Sequence, residues 1–520
     1  MVKFLKKFHF YIFIFTFILL LIPLYKDLGR ENVNGDQFLW YKRTENFFNS
    51  LTTGDFRGTY QQYHPGVLLM YTLRAGQVSF NYFLNNELTF KEINYETAAI
   101  YNFYTKFYLV TFNLLLILSS VFILYKITNN KLISGLFCLF LLSEPYMIGN
   151  IRNIHMDALS SLITINSLLY FYQGIRVKNS KYIFIAGLFL GLGLLTKSVI
   201  ISTFGFLFIF AMFYYLYKRE KTYIILLLKS FLTSFIVFFL LFPSMWVDPF
   251  GTLYDVYYNG VIRVAYGGDE NFSHIVNNVS VKDPGLGFYF LVLKYRLSLI
   301  HQISILILIF STIYIMFRKR FQFKDLIKNN PNIMLIVFLF SYSVLFFIGL
   351  NLSEKKTDRY LVVIFPALFI ITSLIFYETI VKYIKFKKII LGFLISTLIF
   401  NTIILLLIHP YYFAFYNPIY GGINKARTEI YLNPGGIGAI ELMEFINLQN
   451  VSDTDLIGTT QRNEYSFFSK YKIQKLEYSN MKTYKYVILT LQKATNFREK
   501  RELKYSIKIL GSDYVRIFGY

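Results

Sequence analysis

Apolar and polar stretches alternate along this chain on a scale set by a bilayer. Apolar runs occur at roughly 9–25, 104–125, 132–149, 156–172, 182–196, 198–217, 222–242, 299–317, 332–350, 360–380 and 388–408. A helix needs roughly 20 apolar residues to cross ~30 Å of hydrocarbon, and most of these runs are close to that length. The pattern therefore predicts an all-α polytopic membrane protein with about 11 transmembrane helices. The first run follows basic residues as a signal peptide would, but no small-residue cleavage site follows it, so it is expected to stay as the first helix.

Beyond His409 the apolar runs shorten. Strand-like stretches DLIGTT, YVILTL, YSIKIL and YVRIFGY accompany one helix-like stretch, GIGAIELMEFINL. The expected division is a transmembrane module over 1–408, with long connections at 26–103 and 243–298, and a small α/β domain over 409–520.

Charge adds an orientation. The net charge is +23, and the basic residues gather in short connections between apolar runs. With the N-terminus in the cytoplasm, the inner segments hold twenty Lys and Arg against Glu220 and Asp325 alone. That is the bias expected of cytoplasmic loops, and it excludes nucleic acid as the reason for the charge. The cell membrane is the expected location, with both long connections and the C-terminal domain outside. Treating the two runs around Lys197 as one span would place later basic clusters outside, so two helices are expected to meet there. Composition agrees, at 55% hydrophobic, 16% charged and a mean hydropathy of +0.45. The single cysteine, Cys138, excludes an intramolecular disulfide.

Candidate chemistry lies at the outer helix ends. Asp36 follows the first run, and Asp157 opens the fourth in NIRNIHMDALSSL; a carboxylate at such a depth is costly unless paired, hydrated or used. Each also suits a helix cap, with Arg152 or His155 as a partner for Asp157. Lys197 stands after the glycine-spaced GLFLGLGLLT, where it either snorkels or meets a phosphate. Arg359 and Tyr360 open the tenth run beside Lys355 and Lys356, cations that run against the orientation bias. Phosphate binding accounts for them, as does pairing with Glu354 and Asp358. His64 in YHPG is a phosphate donor, a metal ligand or a turn residue. No nucleotide-binding loop or HExxH is present, no ligand spacing demands a metal, and a divalent cation stays open as a cofactor.

The order of these segments resembles a known family. An acid follows the first helix, HPG closes the first outer loop, RNIHMD precedes the fourth helix and GLGLLTK ends the fifth. FPSMWVDP, DRYLVVIFP and HPYYFAFYNPIYGG follow in turn. This set is similar to the GT-C glycosyltransferases of the protein mannosyltransferase and aminoarabinose transferase type, over most of 1–435. The resemblance implies inverting transfer of a sugar from a polyprenyl or dolichyl phosphate to an acceptor hydroxyl on the outer face, the acceptor being protein, lipid or glycan. It implies Asp36 and Asp157 as catalytic acids, with His64, Lys197, Arg359, Tyr360 and Arg152 around the donor phosphate. Three positions depart from the family pattern: Gln37 in place of a second acid, Gly66 in place of proline, and Tyr63 where the aminoarabinose type has an acid. A membrane transporter or lipid-linked glycan flippase, and a noncatalytic scaffold, are the alternative readings.

Overall fold

A computed structural model describes residues 20–263, 274–276, 279–318, 331–382, 387–430, 435–449, 451–452, 454–477, 482–490 and 501–519. The protein is mostly helical. Among the described residues, six helices are long and apolar enough to cross a membrane: Tyr95–Thr128, Ser198–Lys218, Thr222–Leu241, Pro331–Leu352, Asp358–Glu378 and Leu391–Ile408. The pair Lys131–Ser143 and Pro145–Arg152, bent by 72° around Glu144, makes a seventh if counted as one broken span.

The other apolar runs also form helices, among them Met156–Val177, Ser180–Thr196 and Leu299–Arg318. The start of the first run lies outside the described residues. Helix Met156–Val177 is buried from Met156 to Ile175. Enclosed by protein, it carries Ser160, Ser161, Thr164, Asn166 and Ser167, most of them bonded within the bundle; Asn166 Nδ2 donates to Leu116 O at 2.9 Å. Helices facing lipid have no such partners and stay apolar. Ser180–Thr196 is shorter, at 17 residues, and Leu299–Arg318 spans 20.

Small residues bring the helices close. A Cβ on Gly187 would lie 2.5 Å from Ser230 O, and one on Gly191 would lie 2.6 Å from Ser234 O. The four-residue glycine spacing thus lets Ser180–Thr196 meet Thr222–Leu241 backbone to backbone. At Lys197 the chain turns extended, with φ −147° and ψ 127°, and two separate helices meet there, as the charge pattern requires.

Two short strands, β1 (His274–Val276) and β2 (Val279–Val281), pair in the second long connection. The C-terminal region contains β3 (Leu456–Thr459), β4 (Ile473–Lys475), β5 (Tyr484–Thr490), β6 (Glu502–Ile509) and β7 (Ser512–Gly519), in the order β4-β3-β5-β7-β6. β3 runs parallel to β4 and β5, and β7 runs antiparallel to β5 and β6. This domain is fastened to the bundle at several points. Phe467 packs against Phe38 and Phe90 at centroid distances of 5.1 and 5.6 Å, and Tyr514 Oη donates to Ala414 O at 2.7 Å.

Candidate active site

The site is built where several helix ends converge. Asp36 begins helix Asp36–Thr53, and its backbone N–H donates to Asn34 Oδ1 at 2.7 Å. The Asn34 amide donates in turn to Asn153 Oδ1 at 3.1 Å and Ile154 O at 3.0 Å. One asparagine therefore ties the first acid to the turn that precedes the second. His155 stands at the N-terminus of Met156–Val177, with Nε2 3.5 Å from Asp36 Oδ2 and Nδ1 2.7 Å from Asp157 Oδ2.

Asp157 is 1% exposed and accepts from Lys197 Nζ at 2.6 Å. Arg359 joins both acids: Nη2 is 3.2 Å from Asp36 Oδ2, and Nε is 3.7 Å from Asp157 Oδ2. Lys197 Nζ also sits 4.4 Å from the centroid of the Tyr360 ring, a cation–π contact that fixes a flexible side chain. Arg359 thus pairs with Asp36 and Asp157 rather than with its neighbour Asp358. Asp358 instead takes Arg296, whose Nε and Nη2 reach its Oδ2 at 2.9 and 2.6 Å. Arg296 is fully buried and also donates to Phe413 O, Phe415 O and Tyr416 Oη. The FAFY part of HPYYFAFYNPIYGG holds Arg296, and Arg296 sets the start of the Asp358–Glu378 span.

His64 is brought in by its loop. Its Nδ1 lies 2.8 Å from Ser198 Oγ, one residue beyond Lys197. Burial, and then the charge of Lys197, push its imidazole well below the usual histidine range, so it is neutral at pH 7. Gly66 explains one departure from the family pattern. It has φ +59° and donates its N–H to Thr196 O at 3.1 Å; proline has neither that φ nor an N–H. This bond moors the HPG turn against the end of the helix that delivers Lys197. Arg57 moors FPSMWVDP in the same region, with Nη1 donating to Ser244 Oγ and Thr252 Oγ1 at 3.1 and 2.9 Å.

Lys197, His64 and Tyr360 line a cavity of about 440 Å³ that is otherwise mostly apolar. Its walls come from Ile201–Lys218 and Pro331–Leu352, including Phe206, Tyr342, Phe346 and Leu350. Gly205 and Gly349 also line it, and a Cβ at either would meet nothing within 4 Å.

Arg152 is not part of this group. Its guanidinium donates to Pro23 O at 2.6 Å, Asp27 O at 3.0 Å and Glu31 Oε2 at 3.0 Å. Lys106 Nζ meets the other Glu31 oxygen at 2.9 Å, so Arg152 belongs to a buried ionic triad that holds the loop before Asp36. Asp157 is likewise enclosed by its cations, which suits holding them better than meeting an acceptor.

Sequence reasoning named His155 only as a partner for Asp157, and passed over Glu31, Lys106 and Arg296, which hold the loops around the site. The RNIHMD segment and a lysine near the start of an apolar run were the available signals. Among the described residues, no three His, Cys, Asp or Glu side chains form a set able to hold a metal ion. Asp36 and Asp157 are already paired with Lys197, Arg359 and His155, and the mechanism proposed for them has no metal step.

No protein-family model matches the chain, and no curated protein sequence matches it. Solved structures do. ArnT from Cupriavidus metallidurans bound to undecaprenyl phosphate is similar over 97% of both chains, with a TM-score of 0.51 at 11% identity. This chain has the GT-C fold. The apo state of that ArnT is similar with a TM-score of 0.49 over 97% of both chains at 11% identity. The apo oligosaccharyltransferase of Archaeoglobus fulgidus gives 0.49 at 12% identity, over 94% of this chain and 70% of that one. In this GT-C chain the helix ends bring Asp36, Asp157, Lys197 and Arg359 within one ionic cluster.

Proposed function

We propose that this protein is a membrane-embedded inverting glycosyltransferase that moves a sugar from a polyprenyl phosphate to an acceptor hydroxyl on the outer face. One observation carries the reading: a mostly apolar cavity is lined also by Lys197, His64 and Tyr360, and Lys197 is joined through Asp157 to Arg359 and from there to Asp36. A polyprenyl phosphate sugar has its parts in that order, a hydrocarbon chain, an anionic phosphate and then a sugar. The likeness in fold to ArnT crystallised with undecaprenyl phosphate supports the same order. The distribution of basic residues favours an outer placement of the site.

Asp36 is the general base. It takes the proton of the acceptor hydroxyl as that oxygen attacks the anomeric carbon from the face opposite the phosphate. The bond from carbon to phosphate oxygen breaks, and its electron pair leaves on the polyprenyl phosphate. Lys197 and Arg359 meet the charge that develops there, with His64 and Tyr360 beside it, in a setting drier than water. Asp157 holds Lys197 and Arg359 in place. A single displacement inverts the anomeric configuration.

The test is to supply purified protein in nanodiscs with a panel of radiolabelled polyprenyl-phosphate sugars. One donor is expected to be consumed, with polyprenyl phosphate released and the product anomer inverted. Asp36→Asn lowers the rate at least ~100-fold, the low end for loss of a general base. Near-normal turnover by a folded variant removes Asp36 from that role, and consumption of no donor removes the reaction.

A further inference from the structure

Glu464 lies on the short helix Arg462–Ser466 of the C-terminal domain, far along the chain from Asp36 and close to it in space. A Cβ built on Gly35, the residue before Asp36, would lie 3.0 Å from Glu464 Oε1. One built on Gly436 would lie 2.8 Å from Glu464 Cβ. The side chain therefore occupies room that two glycines leave. Phe467, packed between Phe38 and Phe90, holds this helix against the bundle.

The charge of Glu464 is hard to explain by packing. It is half-buried, and among the described residues no cation pairs with it: burial pushes its carboxyl up, a backbone hydrogen bond partly offsets that, and the negative charge of Asp36 pushes it up further. A glutamine would fill the same space without the repulsion. Asp36, for its part, spends one oxygen on the resident cations. Both Arg359 and His155 approach Oδ2, while Oδ1 has no side-chain partner among the described residues and the side chain is 43% exposed. Glu464 stands close enough to this half-exposed carboxylate for the two charges to repel.

We infer that Glu464 is an acceptor-positioning residue. It accepts a hydrogen bond from a second donor on the acceptor, next to the hydroxyl whose proton goes to Asp36. The acceptor class it selects is a saccharide or similar polyol with neighbouring hydroxyls, and the C-terminal domain thereby completes the site. This inference rests on the glycosyl-transfer reading above. The ionised carboxylate accepts more strongly than an amide oxygen would, which is the use to which the unfavourable charge is put.

The test uses the full-length protein in nanodiscs with the donor found in the panel. Octyl β-D-glucopyranoside offers neighbouring hydroxyls, and 1-octanol offers one. The unmodified protein is expected to prefer the glucoside. Glu464→Gln should lower kcat/KM for the glucoside by at least about tenfold, chiefly through KM, as expected when a hydrogen bond to a charged group is lost. The KM for donor, the transfer to 1-octanol and the slow hydrolysis of donor by water should each stay within about twofold, since they do not use that bond. Its thermal midpoint near neutral pH should be unchanged or higher, because the variant relieves repulsion. An unmodified protein that uses the glucoside no better than 1-octanol overturns the inference. So does a variant that leaves glucoside transfer intact, or one that loses both transfers and stability together. Failure of the unmodified protein to consume any donor overturns the glycosyl-transfer reading itself, and is distinguishable from all of these.

Discussion

Lys197 Nζ lies 2.6 Å from Asp157 Oδ1, with the two side chains 4% and 1% exposed. Two charges so far from water are held by each other, and removing one leaves the other uncompensated at a cost of about 3–5 kcal/mol. Asp157→Asn should therefore lower stability by about that amount in denaturant titrations. A polyprenyl phosphate should restore part of the loss, because its anion supplies the missing charge. The stabilisation by undecaprenyl phosphate should thus be larger in Asp157→Asn than in the unmodified protein, and absent in Lys197→Ala. An equal shift in all three would separate this pair from the donor phosphate.

The proposed base has an unusual resting state. The His155 contact, with the charge of Arg359 behind it, holds the Asp36 carboxyl well below the usual carboxylate range despite burial. A group so acidic is a poor base. When a phosphate draws Arg359 away, Asp36 loses a cation and gains an anionic neighbour, and both changes raise its pKa. The acid limb of kcat, which reports the complex, should lie at higher pH than that of kcat/KM, which reports the free enzyme. Coincident limbs would show that Arg359 does not exchange partners.

Much of this site was legible because its members punctuate the sequence. Asp36, Asp157, Lys197 and Arg359 each stand where a charge adjoins an apolar run, and orientation alone puts them on one side. Their partners were not legible. Lys106 meets Glu31 across 75 residues, Arg152 meets Glu31 across 121 and Arg296 meets Asp358 across 62, and no local spacing reports such pairs. For Arg152, the first residue of RNIHMD, nothing in the local sequence points to Glu31, which meets it from 121 residues away. Met156–Val177 is less apolar than a lipid-facing helix because its polar residues are enclosed by neighbours from Met156 to Ile175.

The groove is open to a direct steric test. Gly349 lines it, and the space a Cβ would enter is empty. Gly349→Leu puts a branched side chain into the path of a hydrocarbon chain, with its Cβ entering open space. Glycine is roughly 0.8–1.0 kcal/mol less favourable than alanine in a helix, and leucine ranks next to alanine, so stability should hold or rise. KM for a long-chain donor should increase at least about tenfold, with less effect on a short-chain analogue that does not reach so deep. Equal kinetics with both chain lengths would place the lipid elsewhere.

Arg152 supplies the sharpest contrast between a structural cation and a phosphate ligand. Burial alone would raise the Glu31 carboxyl, but the charges of Arg152 and Lys106 outweigh it and bring it from 4.5 to about 2. A carboxyl depressed on folding contributes stability above its unfolded pKa and loses it as pH falls towards the folded value. Arg152→Ala should therefore cost about 3–5 kcal/mol near neutral pH, the cost of breaking a buried ion pair. The gap from the unmodified protein should narrow as pH falls from 4.5 towards about 2, the interval over which Glu31 takes up its proton. Denaturation measured across that range reads the trend, and donor KM in the folded variant should match that of the unmodified protein. A folded Arg152→Ala whose stability is intact and whose donor KM is raised would return this arginine to the phosphate.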